Sequence, residues 1–309
     1  LTQIFTLYVM DVPTYTNIRN ALPTLSRFVA YDISLTQDTK DTNPLVRGLA
    51  LRTLSSIQTR NTFQALLGPL QRAFFDKDPY VRKICTISVA KLHAFDPLLA
   101  EKNGFVENLH GMILDDNPTV VTGAAAALFD IAERSTTMEL RINYSVASKL
   151  VEDTLRCSVW GQTYILEILM FYVPRTSQEA EYLAERACLL LRQSNPSVVL
   201  TAVKFVLYLM NYIAGAEHHE VLCRRMSPML VHLLNSPSEI QYSALRMILL
   251  IVQRRPLVLH DNVSSLFCKF NDPFYIKNTK LDLICRLTHE DNANEVLAEL
   301  KECVVPGRC

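Results

Sequence analysis

The sequence predicts an all-α protein, a right-handed α-solenoid built from pairs of helices. Three observations predict it. The first is a helix start that recurs. Asp76-Lys77-Asp78-Pro79-Tyr80-Val81-Arg82 is its clearest copy. Asn43-Pro44-Leu45-Val46-Arg47, Asn117-Pro118-Thr119-Val120-Val121, Asn195-Pro196-Ser197-Val198-Val199 and Asp272-Pro273-Phe274-Tyr275-Ile276 are others, and Ser236-Pro237-Ser238-Glu239-Ile240 is a weaker one. The Asp or Asn accepts free N–H groups of the first turn, and proline fits the first helical position, where no N–H is needed. The second observation is the spacing: 35 residues from Pro44 to Pro79, 39 from Pro79 to Pro118, 41 from Pro196 to Pro237 and 36 from Pro237 to Pro273. A period in the high thirties marks an array of helix pairs. The third is the repetition of side chains after the proline. Six residues on stands a small residue (Ala50, Cys85, Ala124, Ala202, Ser243, Thr279) and ten on a large apolar one (Leu54, Val89, Leu128, Val206, Met247, Leu283). Two residues on stands Val46, Val81, Val120 or Val198, a rule that Glu239 and Tyr275 break. These offsets share one face of a helix, and the small residue in mid-face lets a neighbour approach closely.

The elements follow in order. Residues 1–10 read as a helix ended by Pro13, and Ile18 to Leu35 as another, with Pro23 near its start. Pro44 to Ile57 is the second helix of a pair. Residues 61–75 open the next pair, with Phe63, Leu66, Leu67, Leu70 and Phe74 as the apolar face and Pro69 suggesting a bend; Pro79 to Leu92 answers it. The scheme repeats as 103–114 with 118–133, 145–156 with 160–172, 178–192 with 196–213, 219–234 with 237–254, and 259–270 with 273–287. Glu290 to Cys303 begins a further pair, stopped by Pro306-Gly307. From Pro118 to Pro196 is 78 residues, so a copy lacking proline is expected near residue 157. Cys157-Ser158-Val159-Trp160-Gly161-Gln162 supplies it, followed by Tyr164-Ile165-Leu166. Connections are short and carry Gly, Pro or Asn, as helix hairpins require. No linker divides the chain. Residues 1–309 therefore read as a single solenoid of HEAT/armadillo-like helix pairs, each burying its face against the next, with incomplete repeats at both ends.

Composition narrows the function. Hydrophobic residues make up 49% of the chain, in keeping with helices covered on two sides. Eight glycines are too few for a phosphate-cradling loop fold or a β-rich one. Lys plus Arg and Asp plus Glu are 31 each, so net charge gives no pull toward nucleic acid or anionic lipid. The eight cysteines form no Cys-x-x-Cys pair and read as small buried thiols, with Cys85 and Cys285 on inward helix faces and Cys303 and Cys309 near a ragged end. The longest apolar stretch, Val198 to Met210, is interrupted by Lys204 and is too short to cross a bilayer. No signal peptide is visible.

Residues with chemical potential are few. His218-His219-Glu220 with Cys223 puts two ligand types on one helix face, but two ligands are no zinc site, and a solvated helix start is favoured. His93 near a helix C-terminus suits the helix dipole. There is no nucleophile elbow, phosphate-binding loop or His-Glu-x-x-His, so no catalytic, metal-binding or cofactor-binding residue is assigned and no cofactor is expected. Arg224-Arg225, Arg254-Arg255 and the cluster Lys269, Lys277 and Lys280 can meet phosphoinositide headgroups or an acidic partner. Solvated helix faces explain them more simply. Arg47 and Arg82, three residues after their prolines, are expected to bind the carbonyls of the preceding turn or an aspartate of the next repeat. Trp160 is the only tryptophan and is expected in a packed core position.

Several of these motifs carry a resemblance. Asp41-Thr42-Asn43-Pro44-Leu45-Val46-Arg47-Gly48-Leu49-Ala50-Leu51-Arg52-Thr53 resembles the beta-adaptins, the beta large subunits of heterotetrameric clathrin adaptor complexes. So do Asp78-Pro79-Tyr80-Val81-Arg82-Lys83, Val89-Ala90-Lys91-Leu92-His93, Trp160-Gly161-Gln162 with Ile165-Leu166, Asn271-Asp272-Pro273 and Val296-Leu297-Ala298-Glu299-Leu300-Lys301. The similarity runs in register from about residue 38 to 303. It implies an α-solenoid trunk that acts by protein–protein binding, curling around the medium and small subunits beside a second large subunit. It implies vesicle-coat assembly and intracellular protein transport, in the cytoplasm and peripherally on coated membranes of the Golgi, endosomes or plasma membrane. It places clathrin binding in a hinge and ear outside this stretch. In this family an Arf-type GTPase can dock on early trunk helices; here residues 18–35 depart from the pattern, with an insertion and Asp32 at an apolar place, and no docking residue is carried over. No nucleic-acid partner is implied. The repeat pattern alone leaves open another helical-repeat carrier or scaffold, of the nuclear-import or phosphatase-scaffold kind. The neutral charge balance argues against the acidic inner face common in such carriers.

Overall fold

The computed structural model describes residues 34–135, 140, 142–254, 260–269, 271–290 and 292–304. The helices expected at 1–10 and over most of 18–35 lie outside the described residues, as do Arg255, Cys309 and the side chain of Cys303. Among the described residues there is no strand and no helix long and apolar enough to cross a membrane. The chain divides into two compact units, residues 1–109 and 110–309.

The first unit contains α1 (Pro44–Leu54), α2 (Arg60–Ala73), α3 (Pro79–Phe95) and a short α4 (Pro97–Lys102). α5 (Phe105–Met112) begins in it. α1 packs on α2 and α3, and α2 on α3. Leu51, Leu54, Phe63, Leu66, Leu70, Val89 and Leu92 form the core, where the Phe63 ring lies 4.6 Å from Phe95. α2 runs on through Pro69, whose ring is buried. α4 is absent from the sequence expectation, although Asp96-Pro97 carries the same start signal: the Asp96 side chain accepts the N–H of Leu99 at 3.0 Å.

The second unit contains α6 (Pro118–Arg134), α7 (Tyr144–Asp153), α8 (Val159–Leu169), α9 (Ser177–Cys188), α10 (Pro196–Leu209), α11 (Ala216–Leu233), α12 (Ser238–Arg254), α13 (Phe274–Leu287) and α14 (Ala293–Val304). The packing has two layers. The second helices of successive pairs lie side by side, α6 on α8, α8 on α10, α10 on α12 and α12 on α13; the first helices α7, α9 and α11 line up in the other layer. Short 3-10 turns, Thr154–Arg156 and Leu189–Arg192, finish α7 and α9. Where residues 259–270 are expected as a full helix, the chain makes a 3-10 segment, His260–Leu266. Its Asp, Asn and two Ser are residue types that compete with α-helical backbone bonding.

The inward stripe follows the expected offsets in the four copies where proline occupies the first helical position. Ala50, Cys85, Ala124 and Ala202 are buried, as are Leu54, Val89, Leu128 and Val206. The expectation fails in part in the last two copies. Pro273 is the residue before the helix and Pro237 also precedes its helix, and the small-residue position of each moves one residue along, while Leu283, ten residues after Pro273, is buried as expected. Ala244 and Ile248 are buried in place of Ser243 and Met247, and Lys280 is buried in place of Thr279. The same slip puts Cys285 on the surface, against expectation, while Ile284 is buried. It also explains why Glu239 and Tyr275 break the valine rule.

Candidate functional site

Three of the helix starts are built from two successive side-chain caps. The Asn43, Asp78 and Asn117 side chains accept the N–H two residues on, at 3.0, 2.8 and 2.9 Å. The N–H groups of Asn43, Asp78 and Asn117 are in turn accepted by Asp41, Asp76 and Asp115, at 2.7, 2.9 and 2.8 Å. The recurring arginines close the loop. Arg47 Nη1 donates to the carbonyls of Asp41 and Thr42, and Arg82 Nη1 to those of Asp76 and Lys77. Arg47 also donates to both carboxylate oxygens of Asp76 in the next repeat. Both roles expected for these arginines are present, which removes them as ligand-binding candidates.

The proline-less copy keeps its register with Val159 at the first helical position and Ser158 as cap, accepting from Gly161 N–H at 3.3 Å. Its three neighbouring residues face three ways. Gly161 is buried against α6: a Cβ there would stand 2.5 Å from Thr122 Oγ1. Gln162 is buried and donates from Nε2 to the Cys157 carbonyl at 3.3 Å. Trp160 is 69% exposed, which corrects the core placement expected from sequence. The reason is positional. The residue after the proline slot is off the inward stripe, and Leu45 and Tyr80 at the same place are exposed as well.

Exposed apolar groups stand on both layers, and several are on the layer of second helices. Beyond Trp160 and Tyr164 on α8 come Phe171 and Val173 at its end and Leu250 on α12. Met170, Leu207, Tyr208, Met247, Leu250 and Ile251 line a hollow of about 430 Å³ across α8, α10 and α12, with Lys204, Asn211 and Gln253 at its polar edge. Lys204 is held by Glu167 at 2.8 Å. Tyr208 donates to the Tyr172 carbonyl at 2.8 Å, and burial together with Tyr212 pushes its phenol up. The hollow has no nucleophile–base pair. Its lining is mostly apolar.

Within the lysine cluster, Lys280 is an internal group and not part of a ligand surface. Lys280 is 1% exposed and its Nζ donates to Asp272 Oδ2 at 2.6 Å and to the Phe267 carbonyl at 3.3 Å. Lys269 reaches Asn235 Oδ1 at 3.0 Å, and its N–H binds Asp272 at 2.9 Å. Asp272 thus organises the turn before α13 from inside. Sequence reading missed this, because a lysine seven residues after a proline looks like any solvated lysine.

His219 Nε2 lies 3.1 Å from the Ile213 carbonyl and His218 Nδ1 3.4 Å from that of Ala214, so both rings fold back on the preceding turn, while Cys223 is buried. Among the described residues, no three His, Cys, Asp or Glu side chains are grouped to hold a metal ion. His93 is in the last turn of α3 but points inward, buried, with Nε2 3.9 Å from Glu101 Oε1. Burial pushes the Cys85, Cys157 and Cys188 thiols up, so none of them is primed as a thiolate. Arg224 and Arg225 do reach a surface of interest. With Arg186 and Arg192 they border two adjoining hollows, of about 490 and 360 Å³, between α11 and the end of α9. Of the Arg254-Arg255 pair, the side chains lie outside the described residues.

Comparison with known proteins matches this architecture. Residues 33–306 match the family described as the adaptin N terminal region. The AP-1 complex subunit beta of Dictyostelium discoideum is 43% identical over 266 residues, 86% of this chain and 28% of that protein. The AP-1 complex subunit beta-1 of Homo sapiens is 41% identical over 268 residues, with the same shares. The AP-2 complex subunit beta of Schizosaccharomyces pombe is 37% identical over 266 residues, 86% of this chain and 39% of that protein. The chain therefore spans well under half the length of these relatives. None of the three is an import carrier or a phosphatase scaffold. A homology model of the full-length AP-3 complex in an intermediate open conformation superposes with a TM-score of 0.62 at 17% identity, over 91% of this chain and 49% of that one. At that identity the likeness speaks for the fold, an α-solenoid.

Proposed function

The chain belongs to the adaptin N-terminal-region family, and from that premise we propose that it is the trunk of a beta-type subunit of a clathrin adaptor complex, working as a scaffold. It binds and does not catalyse. Its partners are a second large subunit, a medium and a small one, with clathrin and an Arf-type GTPase as further partners of the assembly. The assembly lies peripherally on coated membranes of the Golgi, endosomes or plasma membrane, in vesicle-mediated protein transport. The observation that carries this reading is the in-register match of residues 33–306 to the family, with about 40% identity to AP-1 beta subunits. The surface supports it: large side chains such as Trp160, Phe171 and Leu250 are left in water on the second-helix layer, where a folded partner can cover them. Helix-pair arrays suit the task because one extended surface meets several proteins.

The test is co-expression of the tagged chain with a medium and a small adaptor subunit. Co-elution as a stable complex on size exclusion is expected. A well-folded chain that elutes alone in the presence of both would overturn the proposal.

A further inference from the structure

The charged residues of this chain balance, yet four arginines meet at one place on the layer of first helices. Arg186 is on α9, Arg192 ends the 3-10 turn after it, and Arg224 and Arg225 are on α11, which packs against both. All four are exposed. Two hollows run between these elements and share Glu185, Leu189 and Arg225 as a common wall. The larger has Arg192, Arg224 and Arg225 above a floor that includes Leu189, Leu191, Pro228 and Met229; the smaller has Arg186 and Tyr182. Tyr182 is occupied by its own contacts, donating to Glu152 and lying 5.6 Å under the Arg186 guanidinium. Arg224 is paired with Glu220 at 2.7 Å, and both side chains are exposed. Arg192 has no such carboxylate among the ion pairs of the described residues.

We propose that this arginine-walled groove binds a short acidic segment of a partner protein, with one aliphatic side chain of that segment seated on the Leu189, Pro228 and Met229 floor. Charge complementarity selects the sign. Planar guanidinium forks on opposite walls fit carboxylates bidentately. The form of the groove selects the class of ligand. The two hollows share a wall, and the larger sets Leu189, Leu191, Pro228 and Met229 beside its guanidinium groups, an apolar contact that suits a peptide side chain and that a phosphorylated headgroup cannot use. Glu185, in the shared wall, also opposes a dense cluster of phosphates, while a peptide can pass it with a neutral residue. The site stands apart from the apolar hollow on α8, α10 and α12 and goes beyond the scaffold reading, since it holds whether or not the chain joins a coat.

The experiment uses the whole 309-residue chain. The probe is a fluorescein-labelled twelve-residue peptide of Glu and Asp with a central Leu, followed by fluorescence anisotropy. Binding that weakens as NaCl rises from low to physiological concentration is expected. Arg192→Glu with Arg225→Glu is expected to weaken it by roughly tenfold or more, and replacing the peptide Leu by Ser by about fivefold. Arg192→Gln with Arg225→Gln repeats the test without charge reversal, and far-ultraviolet circular dichroism shows that both variants remain folded. The proposal is overturned if the peptide fails to bind at millimolar concentration, or if folded variants bind it as the parent does. It is overturned equally if the groove ignores the peptide but holds phosphatidylcholine vesicles containing a phosphoinositide, with loss in the same variants.

Discussion

Arg47 and Asp76 are joined by a two-pronged pair, Nε to Oδ2 and Nη2 to Oδ1, each 2.8 Å long, across 29 residues of chain. Both side chains are mostly shielded from water. Asp76 at the same time accepts the N–H of Asp78 at the start of α3. One carboxylate therefore fixes its own helix start and ties it to α1. Arg47→Ala is expected to cost about 1.5–3 kcal/mol, read as a lowered midpoint in urea denaturation. Arg47→Lys should recover little, since an ammonium cannot reproduce the fork.

The same carboxylate sets an acid limit. Burial works to raise the Asp76 pKa, but the Arg47 hydrogen bond, the Asp78 N–H and the charges of Arg47 and Arg82 outweigh it and hold the group below the usual range. A carboxyl lowered in the folded state adds stability that is present above its unfolded value, about 3.9, and lost as pH falls through the folded one. Stability should therefore fall with acid below about pH 4. Asp76→Asn should be less stable at pH 7 and less sensitive over that acid range, as pH-resolved melting would show.

Lys280 and Asp272 give a sharper case, because the lysine is buried. Removing one partner strands the other's charge. Asp272→Ala is expected to destabilise the chain by about 3–5 kcal/mol, whereas Asp272→Ala combined with Lys280→Met should regain most of that loss. Equal loss in the single and double variants, by chemical denaturation, would show that the pair is not the cause.

Gly161 tests the contact between α6 and α8. Alanine normally favours a helix over glycine by about 1 kcal/mol. Here its Cβ would meet Thr122 Oγ1 at 2.5 Å and Cγ2 at 2.7 Å, and the Thr122 hydroxyl is anchored to the Pro118 carbonyl. Gly161→Ala is expected to destabilise by about 1–3 kcal/mol. Adding Thr122→Ala, which removes both clashing atoms, should reverse most of the effect.

Trp160 reports on the surface. Its fluorescence should be red-shifted and readily quenched by iodide in the isolated chain. Trp160→Ala should change stability by no more than about 0.5 kcal/mol. A blue-shifted, unquenched emission would mean that the indole is packed.

Much of this was legible from residues alone, and the exceptions share a cause. Pro44, Pro79, Pro118 and Pro196 announce their helices because cap and proline act locally, within one turn. The arginine clamp was legible too, since Arg47 and Arg82 repeat at one offset. Pro237 and Pro273 look the same in sequence but sit one residue earlier relative to the helix, and that difference is decided by packing further along. Hence Lys280 and Cys285 exchanged the faces expected of them. Trp160 was misplaced because size and apolarity were weighed above its offset from the helix start. The arginine groove needed the packing of α9 on α11, which no spacing rule supplies.

The division of labour within each first turn has an evolutionary corollary. Leu45, Tyr80 and Trp160 occupy the second residue of their helices, exposed, while their neighbours cap or pack. At Leu45 and Trp160 selection can thus rewrite what the turn presents at little thermodynamic penalty, whereas the Tyr80 ring also covers Gly48 of α1. Related chains can share one folding grammar and diverge in the company they keep.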